Sequence, residues 1–399
     1  MLALKHPHFK TYYKPNSDLL HLFWSGVSRR VAITMLWVFS PVYIYRLLID
    51  SDFTQQYALM FVAAWFLLGF VSKLVFMILA EDLSRKIGFK GTIRLSVVPF
   101  IFYVIALMCA DKSMFALILS ALFSGVHSGL FWWGYHGYFV KSANRKHFGE
   151  SLGEVNILET VAAVVTPLLG GMIIVAFSFN ILFIVSILFV VMSSVLLGKD
   201  HDKRQKKDIK FSQVLNLMQK HTKTTMAYFG SSIEGTIAVI VWPIYLYLFF
   251  NGFIKLGIVV SVSGLIAALF SVFIGRWVDS RHGRQLVAFG APIVTSSWII
   301  KFLSTTPLFF IVADSMWQFG QRMVGLPLNA LSYKKALDSD GSAAAILFRE
   351  TALTMGSIFA LSVLCIFFFF GYSIRASFIL AAVFSILPLL SVLRGSLND

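Results

Sequence analysis

Long apolar runs follow one another along almost the whole chain, and they limit what it can fold into. Each run is about 20 residues long, the length of helix that crosses the ~30 Å hydrocarbon layer of a bilayer. Hydrophobic residues make up 58% of the 399 and charged residues 13%, against roughly 45–50% and about 25% in soluble domains. Such runs leave no polar helix face for water. The sequence therefore predicts an all-α membrane protein and excludes a large soluble core.

Charged or turn-forming breaks divide the apolar sequence into twelve predicted spans, in two sets of six. The longest break, 199–223, separates an N-terminal bundle (1–198) from a C-terminal bundle (224–399). The second part of this break has apolar residues at helical spacing, which predicts a short helix on the membrane surface. The predicted spans are 19–46, 54–80, 92–110, 113–140, 151–176, 179–198, 224–250, 253–276, 286–304, 306–333, 343–370 and 373–394.

Lysine and arginine are concentrated in alternate connections, as the positive-inside rule describes. The connections on the other side carry only Arg46, Lys112, Lys255, Lys301 and Arg375. We therefore expect both termini to be cytoplasmic, in the plasma (inner) membrane of a prokaryote. The net charge of +15 follows from this topology, so no nucleic-acid partner is expected.

Short signatures recur half a chain apart, which indicates a duplicated unit. Residues 41–45 read Pro-Val-Tyr-Ile-Tyr at the end of span one, and residues 243–247 read Pro-Ile-Tyr-Leu-Tyr at the end of span seven. A Glu-Thr pair lies early in span five at Glu159 and early in span eleven at Glu350. Duplicated halves in a membrane chain are typical of transporters, whose substrate site lies between the repeats.

Two loops and one span carry a family resemblance. The loop between spans eight and nine reads Gly-Arg-Trp-Val-Asp-Ser-Arg-His-Gly-Arg at 275–284, with a weaker counterpart at 80–90 between spans two and three. Span five contains Thr-Pro-Leu-Leu-Gly-Gly at 166–171. Here the chain resembles the major facilitator superfamily, over essentially its full length. The resemblance implies two six-helix bundles with pseudo-two-fold symmetry, and a central cavity lined by spans one, four, seven and ten.

The resemblance also assigns roles to the motif residues. The loop residues are expected to lock a cytoplasmic gate, because a loop carboxylate can hold both a helix N-terminus and an arginine. Gly283 is expected to permit a tight turn. In span five, Pro167 removes a helix hydrogen bond, and Gly170 and Gly171 allow close helix packing. The gate residues are Asp82, Arg85, Asp279, Arg281, Gly283 and Arg284.

Ionisable side chains inside spans are costly, so they mark candidate substrate or proton pathways. Most of them lie roughly 9–15 Å from the inner surface at 1.5 Å per residue. Simple neutralisation of these charges inside each bundle is the alternative reading. The residues are Arg29, Arg30, His127, Glu159, Glu234, Asp314, Arg349 and Glu350.

Two arrangements of these charges are predicted. Arg29 and Arg30 project about 100° apart on a helix, so we expect one to pair with Glu159 and the other to face the cavity. Glu234 and Asp314 are expected to border the cavity, with Glu234 as the first choice for a proton carrier because apolar residues surround it.

A third arrangement concerns the cytoplasmic gate. Lys73 and Glu350 lie at equal predicted depth on spans two and eleven, which are neighbours across the halves in this fold. We expect an inter-half ion pair that holds the inner side shut. The alternative is that Lys73 extends to the surface while Glu350 is neutralised by Arg349 or Arg322.

Aromatic and polar side chains on spans one, four, seven and ten are candidates for the cavity wall. Such residues provide both apolar surface and hydrogen-bonding groups for an organic solute. They are Trp37, Tyr43, Trp133, Tyr135, His136, Trp242, Tyr245, Trp317, Gln318 and Gln321.

These observations predict a secondary transporter that moves a small polar or amphipathic organic solute by alternating access, coupled to protons or another ion. The two arginines of span one favour a solute with a negative group. A lipid flippase of the same fold and a membrane enzyme or non-transporting sensor are the alternatives. The sequence has no metal-ligand spacing, nucleotide loop or nucleophile–base pattern, so we expect no cofactor, no metal and no enzymatic activity. We expect a monomer in the lipid bilayer.

Overall fold

The computed structural model describes most of the chain, and the regular structure in the described part is entirely helical. The backbone is described for residues 17–142, 148–198, 202–204, 209, 211–279, 283–338 and 342–392. Side chains are described for residues 20–142, 159–198, 202–204, 209, 211–269, 283–329 and 344–392.

Two sets of six spanning helices lie on either side of one short helix, α7, as the sequence predicts. The first set is α1 (Ser17–Asp50), α2 (Gln55–Leu95), α3 (Val97–Met108), α4 (Met114–Ser142), α5 (Phe148–Ala176) and α6 (Phe179–Leu196). Then come α7 (Phe211–Lys220), α8 (Thr222–Phe250), α9 (Phe253–Asp279), α10 (Gly283–Leu303), α11 (Pro307–Asp338), α12 (Ser342–Phe369) and α13 (Ala376–Phe384), with a 3-10 helix at Leu387–Val392.

Apolar length alone identifies most of these helices as membrane spans. Eight described helical stretches are long and apolar enough to cross a bilayer, and one of them, Gln55–Met108, contains both α2 and α3. Two shorter apolar stretches lie at Phe253–Leu269 and Ala376–Val392. The one described spanning helix outside these stretches is α11. It contains Asp314 and Arg322, and these charged residues lower its mean hydropathy.

Alternation of the spans gives the molecule two faces. The linker face holds α7, the end of α6 and the start of α8, and the opposite face holds the turns between α1 and α2, α3 and α4, and α8 and α9. These turns are short because local groups stop and start the helices. Asn251 ends α8 in the left-handed region at φ 47°, and the Ser178 hydroxyl accepts a hydrogen bond from the backbone N–H of Ile181 at 3.4 Å to cap α6.

The described part of the central linker is held against the first bundle. Gly88 interrupts α2 with φ 81°, a region that favours glycine. The helix resumes after it, and the Asp202 carboxylate accepts from the backbone N–H groups of Lys90 and Gly91, both at 2.9 Å. A carboxylate at a helix start satisfies orphan donors and opposes the positive end of the helix dipole. The Lys203 ammonium adds a bond to the Ser142 hydroxyl at 3.0 Å.

The two bundles meet closely at the opposite face. A Cβ on Gly171 of α5 would lie 2.6 Å from the carbonyl oxygen of Phe253 on α9, and a Cβ on Gly257 would lie 2.5 Å from the carbonyl oxygen of Pro167. The Gln56 amide of α2 donates to the Phe369 carbonyl of α12 at 2.5 Å. The close approach predicted for the span-five glycines therefore joins the halves. Gly170 packs instead on Phe39 of α1, within its own bundle.

The linker contact leads to a stability prediction. Replacing the carboxylate in Asp202→Ala removes two bonds to backbone N–H groups, and loss of a helix cap costs about 0.5–2 kcal/mol. We expect faster hydrogen exchange at the amides of Lys90 and Gly91, measured by mass spectrometry on the purified full chain. Asp202→Asn is the matched control, because asparagine caps nearly as well. Exchange in the alanine variant equal to wild type would contradict the contact.

Candidate functional site

A cavity of about 370 Å³ lies between the two bundles. Its volume is within the range of roughly 300–1,000 Å³ that small-molecule sites have. Residues of α1, α2, α3, α4, α8 and α12 line it. Among the described residues α11 contributes none, so the prediction that the tenth span lines the cavity is wrong for this arrangement. Much of the wall is aromatic, from Trp37, Trp65, Phe66, Phe70, Tyr103, Phe131 and Trp132.

One buried carboxylate collects the charges at the end of the cavity nearer the linker face. The Lys73 ammonium lies 3.1 Å from one oxygen of Glu350. The Arg349 guanidinium lies 2.5 Å from the other, and the His136 ring nitrogen 3.4 Å from that same oxygen. Arg349 also donates to the Asn329 amide oxygen at 2.7 Å. We call Lys73, His136, Asn329, Arg349 and Glu350 the Glu350 cluster.

The Glu350 cluster joins the two halves. Lys73 and His136 belong to α2 and α4 of the first bundle, whereas Arg349 and Glu350 belong to α12 of the second. The predicted ion pair of Lys73 with Glu350 is present, and the alternative pairing with Arg349 exists beside it. Because the Glu350 side chain is only 4% exposed, its charge depends on these partners rather than on water.

The two arginines of α1 take different partners, as predicted. Arg30 donates to Glu159 of α5 at 2.6 Å, within the first bundle, and the Tyr135 hydroxyl also lies 3.5 Å from this carboxylate. Arg29 is buried and donates to the Ser96 hydroxyl at 2.9 Å. Its guanidinium lies 3.7 Å from the centre of the Phe131 ring.

Arg29 does not itself line the cavity, so that part of the prediction is wrong. It lies one layer behind the wall, 3.2 Å from His127, and both His127 and Phe131 face the cavity. Arg30 and Glu159 are also absent from the described lining. The physical reason is that Arg29 and Arg30 both point into the interior of the first bundle. There Arg29 donates to Ser96, and Arg30 donates to Glu159.

The second bundle contains a separate buried charge network. The Lys301 ammonium of α10 lies 2.8 Å from the Asp314 carboxylate of α11, with both side chains almost fully buried. The rings of Trp242, Trp298 and Trp317 surround this ammonium, with centres 4.2, 4.5 and 5.0 Å away. Aromatic faces attract a desolvated cation. Lys301 was counted among the charges of the outer side, and its burial inside the second bundle corrects that expectation.

Glu234 lies beside this network and away from the cavity. Its carboxylate accepts from the indole N–H of Trp317 at 2.8 Å and of Trp298 at 3.1 Å. Gly235 and Thr236, the next residues of α8, line the cavity. One residue rotates the side-chain direction by about 100°. Glu234 therefore faces α10 and α11, Asp314 faces α10, and the prediction that they border the cavity is wrong here.

The predicted aromatic wall is only partly correct, again because of rotation about the helix. Trp37 and His136 line the cavity. Trp133 is buried and donates to the Ser84 hydroxyl at 2.9 Å, while its neighbour Trp132 faces the cavity. The remaining predicted residues lie elsewhere in the described structure: Tyr135 beside Glu159, Trp242 and Trp317 around Lys301, Gln318 bonded to Asp314, and Gln321 half-buried on α11.

The two repeated tyrosines lie near the opposite face, at equivalent places in the two bundles. The Tyr43 hydroxyl donates to the Leu107 carbonyl at 3.2 Å. The Tyr245 hydroxyl accepts from the Arg375 guanidinium at 2.9 Å. Both rings are outside the cavity wall because they lie beyond its end, near the ends of α1 and α8.

The loop motifs are less informative about a gate. Arg85 contacts Asp82 and, at 3.5 Å, Glu81, all on α2. Gly283 is the first residue of α10 and does not have a positive φ, and the connection before it lies outside the described residues. Arg284 follows it and is half-buried. Asp279 ends α9 without a described side chain, and Arg281 lies outside the described residues.

Sequence reasoning missed the Lys301 site and most of the aromatic wall. One signal was available: Lys301 and Asp314 have opposite charge and flank the same short connection between two spans. The wall residues of α2 carried no signal, because aromatic residues are frequent in every span.

Comparisons with known proteins agree with this architecture. The family model of the Major Facilitator Superfamily matches residues 22–336. No curated protein matches the chain in sequence.

Solved structures with the same fold cover 95% of this chain. The D-xylose-proton symporter is similar with a TM-score of 0.72 at 11% identity, over 97% of its chain. The POT family transporter PepTSo has a TM-score of 0.75 at 11% identity, over 97% of its chain. The human organic anion transporter MFSD10 (TETRAN) has 0.71 at 12% identity, over 100% of its chain. At these identities the likeness is one of fold alone.

The buried pair in the second bundle leads to a prediction. Lys301→Met leaves the Asp314 carboxylate buried without its ammonium, so we expect a loss of about 3–5 kcal/mol in the free energy of unfolding. The double variant Lys301→Met with Asp314→Leu removes both charges and should regain most of this loss. Denaturant unfolding in detergent measures both. A double variant as unstable as the single one would contradict the pairing.

Proposed function

This chain belongs to the major facilitator superfamily, and we propose that it moves a small amphipathic organic solute across the membrane by alternating access, driven by protons. The family and the fold make it a secondary transporter rather than an enzyme. The solute class and the coupling ion are the parts that we propose.

The observation that carries this proposal is the position of the cavity between two sets of inter-half contacts. At the opposite face, α5 packs on α9 through Gly171 and Gly257. Toward the linker face, Lys73 contacts Glu350 across the halves. A transporter must release one set of contacts while it keeps the other, and a cavity between two separate sets suits that exchange.

We propose that the transporter works as a monomer in the plasma (inner) membrane of a prokaryote, with the linker face in the cytoplasm. The distribution of lysine and arginine among the connections supports this orientation. A monomer is supported by the cavity itself, since one chain supplies both of its walls.

Glu234 is the proposed proton carrier. It is fully buried, and one of its oxygens has no hydrogen-bond partner among the described residues. It is adjacent in sequence to the cavity-lining Gly235. A proton on this carboxyl group would change its bonds to Trp298 and Trp317, and so alter how α8 packs on α10 and α11. This connects proton binding to the packing of the second bundle.

The proton proposal can be tested by Glu234→Gln, which keeps the shape and removes the ionisable group. We expect loss of pH-driven accumulation in proteoliposomes, while exchange of solute across the membrane remains measurable. The solute is the one selected by thermal-shift screening of the purified protein at two pH values. Asp52→Asn, in an exposed turn, is the matched control. Full proton-driven uptake by the Glu234 variant would remove this residue from the mechanism.

Alternating access can be tested without a solute. Lys73→Gln removes the closest contact between the halves in the Glu350 cluster, while Arg349 still neutralises Glu350 and His136 still lies beside it. A charge swap is less clean, since it would place a lysine beside Arg349. Because such a pair biases states that differ by a few kcal/mol, we expect the linker face to open more often.

The readout is the distance between spin labels at Ile87→Cys and Met226→Cys, exposed positions near the linker face of α2 and α8, after Cys109 and Cys365 are replaced by serine. Longer distances are expected in the Lys73→Gln background. Arg30→Gln, which breaks a similar ion pair inside one bundle, should leave the distance unchanged. A distance distribution equal to wild type in both variants would contradict a gate formed by Lys73 and Glu350.

A further inference from the structure

We infer that the solute is an amphipathic organic anion, whose charged group binds between Lys73 and Arg349 and whose apolar body lies on the aromatic wall. This inference rests on the proposed transport function and names the substrate class of the same cavity. Three features carry it: the balance of charge, the composition of the wall, and the geometry of the Glu350 cluster.

The charge around the cavity is unbalanced toward positive. Among the described lining residues, Lys73 and Arg349 are cations and Glu350 is the one carboxylate. A third cation, Arg29, lies directly behind His127 and Phe131 and has no ion pair among the described residues. Its Nε and Nη1 atoms are buried without a hydrogen-bond partner in the described structure. In a poorly solvated site, unbalanced charge of this kind favours a ligand of opposite sign.

The wall favours an apolar body over a polyhydroxylated one. Seven tryptophan, phenylalanine and tyrosine rings line the cavity, and three of the hydroxyl groups beside them already bond one another. The Ser357 hydroxyl lies 2.8 Å from that of Ser232 and 2.9 Å from that of Thr236. A sugar-like ligand would have few remaining groups to bond, and each unmatched hydroxyl would cost free energy on burial. An aryl or alkyl chain loses nothing there and gains apolar contact.

The Glu350 cluster provides a binding site for the anion and connects its binding to the contact between the halves. One carboxylate is shared by an ammonium, a guanidinium and an imidazole within 3.4 Å. A ligand carboxylate next to Lys73 would compete with Glu350 for this ammonium, while Arg349 keeps Glu350 neutralised. Binding would then weaken the pair that joins the halves and favour opening of the linker face.

The test is equilibrium binding to the full chain in nanodiscs, followed by tryptophan fluorescence and by calorimetry. The probes are 3-phenylpropionate and octanoate, each against its neutral amide and its amine analogue. We expect each carboxylate to bind at least about tenfold more tightly than its amide, and the amines not to bind.

Variants locate the anion. Lys73→Gln and Arg349→Gln should each reduce carboxylate affinity about tenfold and leave amide binding unchanged. Lys73→Arg should restore most of the affinity, since it keeps the positive charge. Lys255→Gln, an exposed residue at the opposite face, is the control and should bind like wild type.

The outcomes separate the two claims. Equal binding of amide and carboxylate, tighter binding of the amines, or no binding of either carboxylate overturns the anion inference. So does a carboxylate preference that survives in both variants. Carboxylate binding without exchange of the same compound in proteoliposomes overturns transport but leaves the anion site in place. Transport of a neutral solute, with no preference for carboxylates in binding, would overturn the anion inference and leave the transport function in place.

Discussion

The carboxylate of Glu350 is buried where the two bundles meet, and the arrangement of the rest of the structure depends on how it is neutralised. Taking a carboxylate and an ammonium out of water costs several kcal/mol per ion, so their attraction yields little net stability. The loss of either partner, however, would leave an uncompensated charge. The pair of Lys73 with Glu350 therefore adds little to the free energy of unfolding. Separation of the halves near the linker face, however, would break this pair.

Each bundle also contains a buried ion pair of its own. In the first bundle Arg30 pairs with Glu159 between α1 and α5, and in the second Lys301 pairs with Asp314 between α10 and α11. Such pairs fix helices inside one bundle, so each bundle can behave as a rigid unit. The contacts that must change during transport then lie between the bundles, and they include the Glu350 cluster and the glycine contact of α5 with α9.

Part of the candidate site followed from the sequence by counting along helices. A pair of Glu159 with one of the two arginines of α1 was predicted from their adjacency on a helix, and the Lys73–Glu350 pair from equal depth in the membrane, because a buried charge requires a partner. The same argument failed for Glu234, which lies at the predicted depth but faces the wrong direction. Depth changes by 1.5 Å per residue and direction by about 100°, so an error of one residue is negligible for the first and decisive for the second.

The sequence by itself determined the twelve spans, their division into two related halves and the presence of buried charges of both signs. These follow from hydropathy and charge along the chain, because lipid tolerates little else. Only the tertiary structure decided that Trp132 rather than Trp133 faces the cavity, and that Lys301 lies among three indole rings rather than in an outer connection. Those outcomes depend on how the helices rotate and pack against one another. Helix packing is decided by the sum of many weak contacts between distant parts of the chain. No local pattern in the sequence encodes that sum.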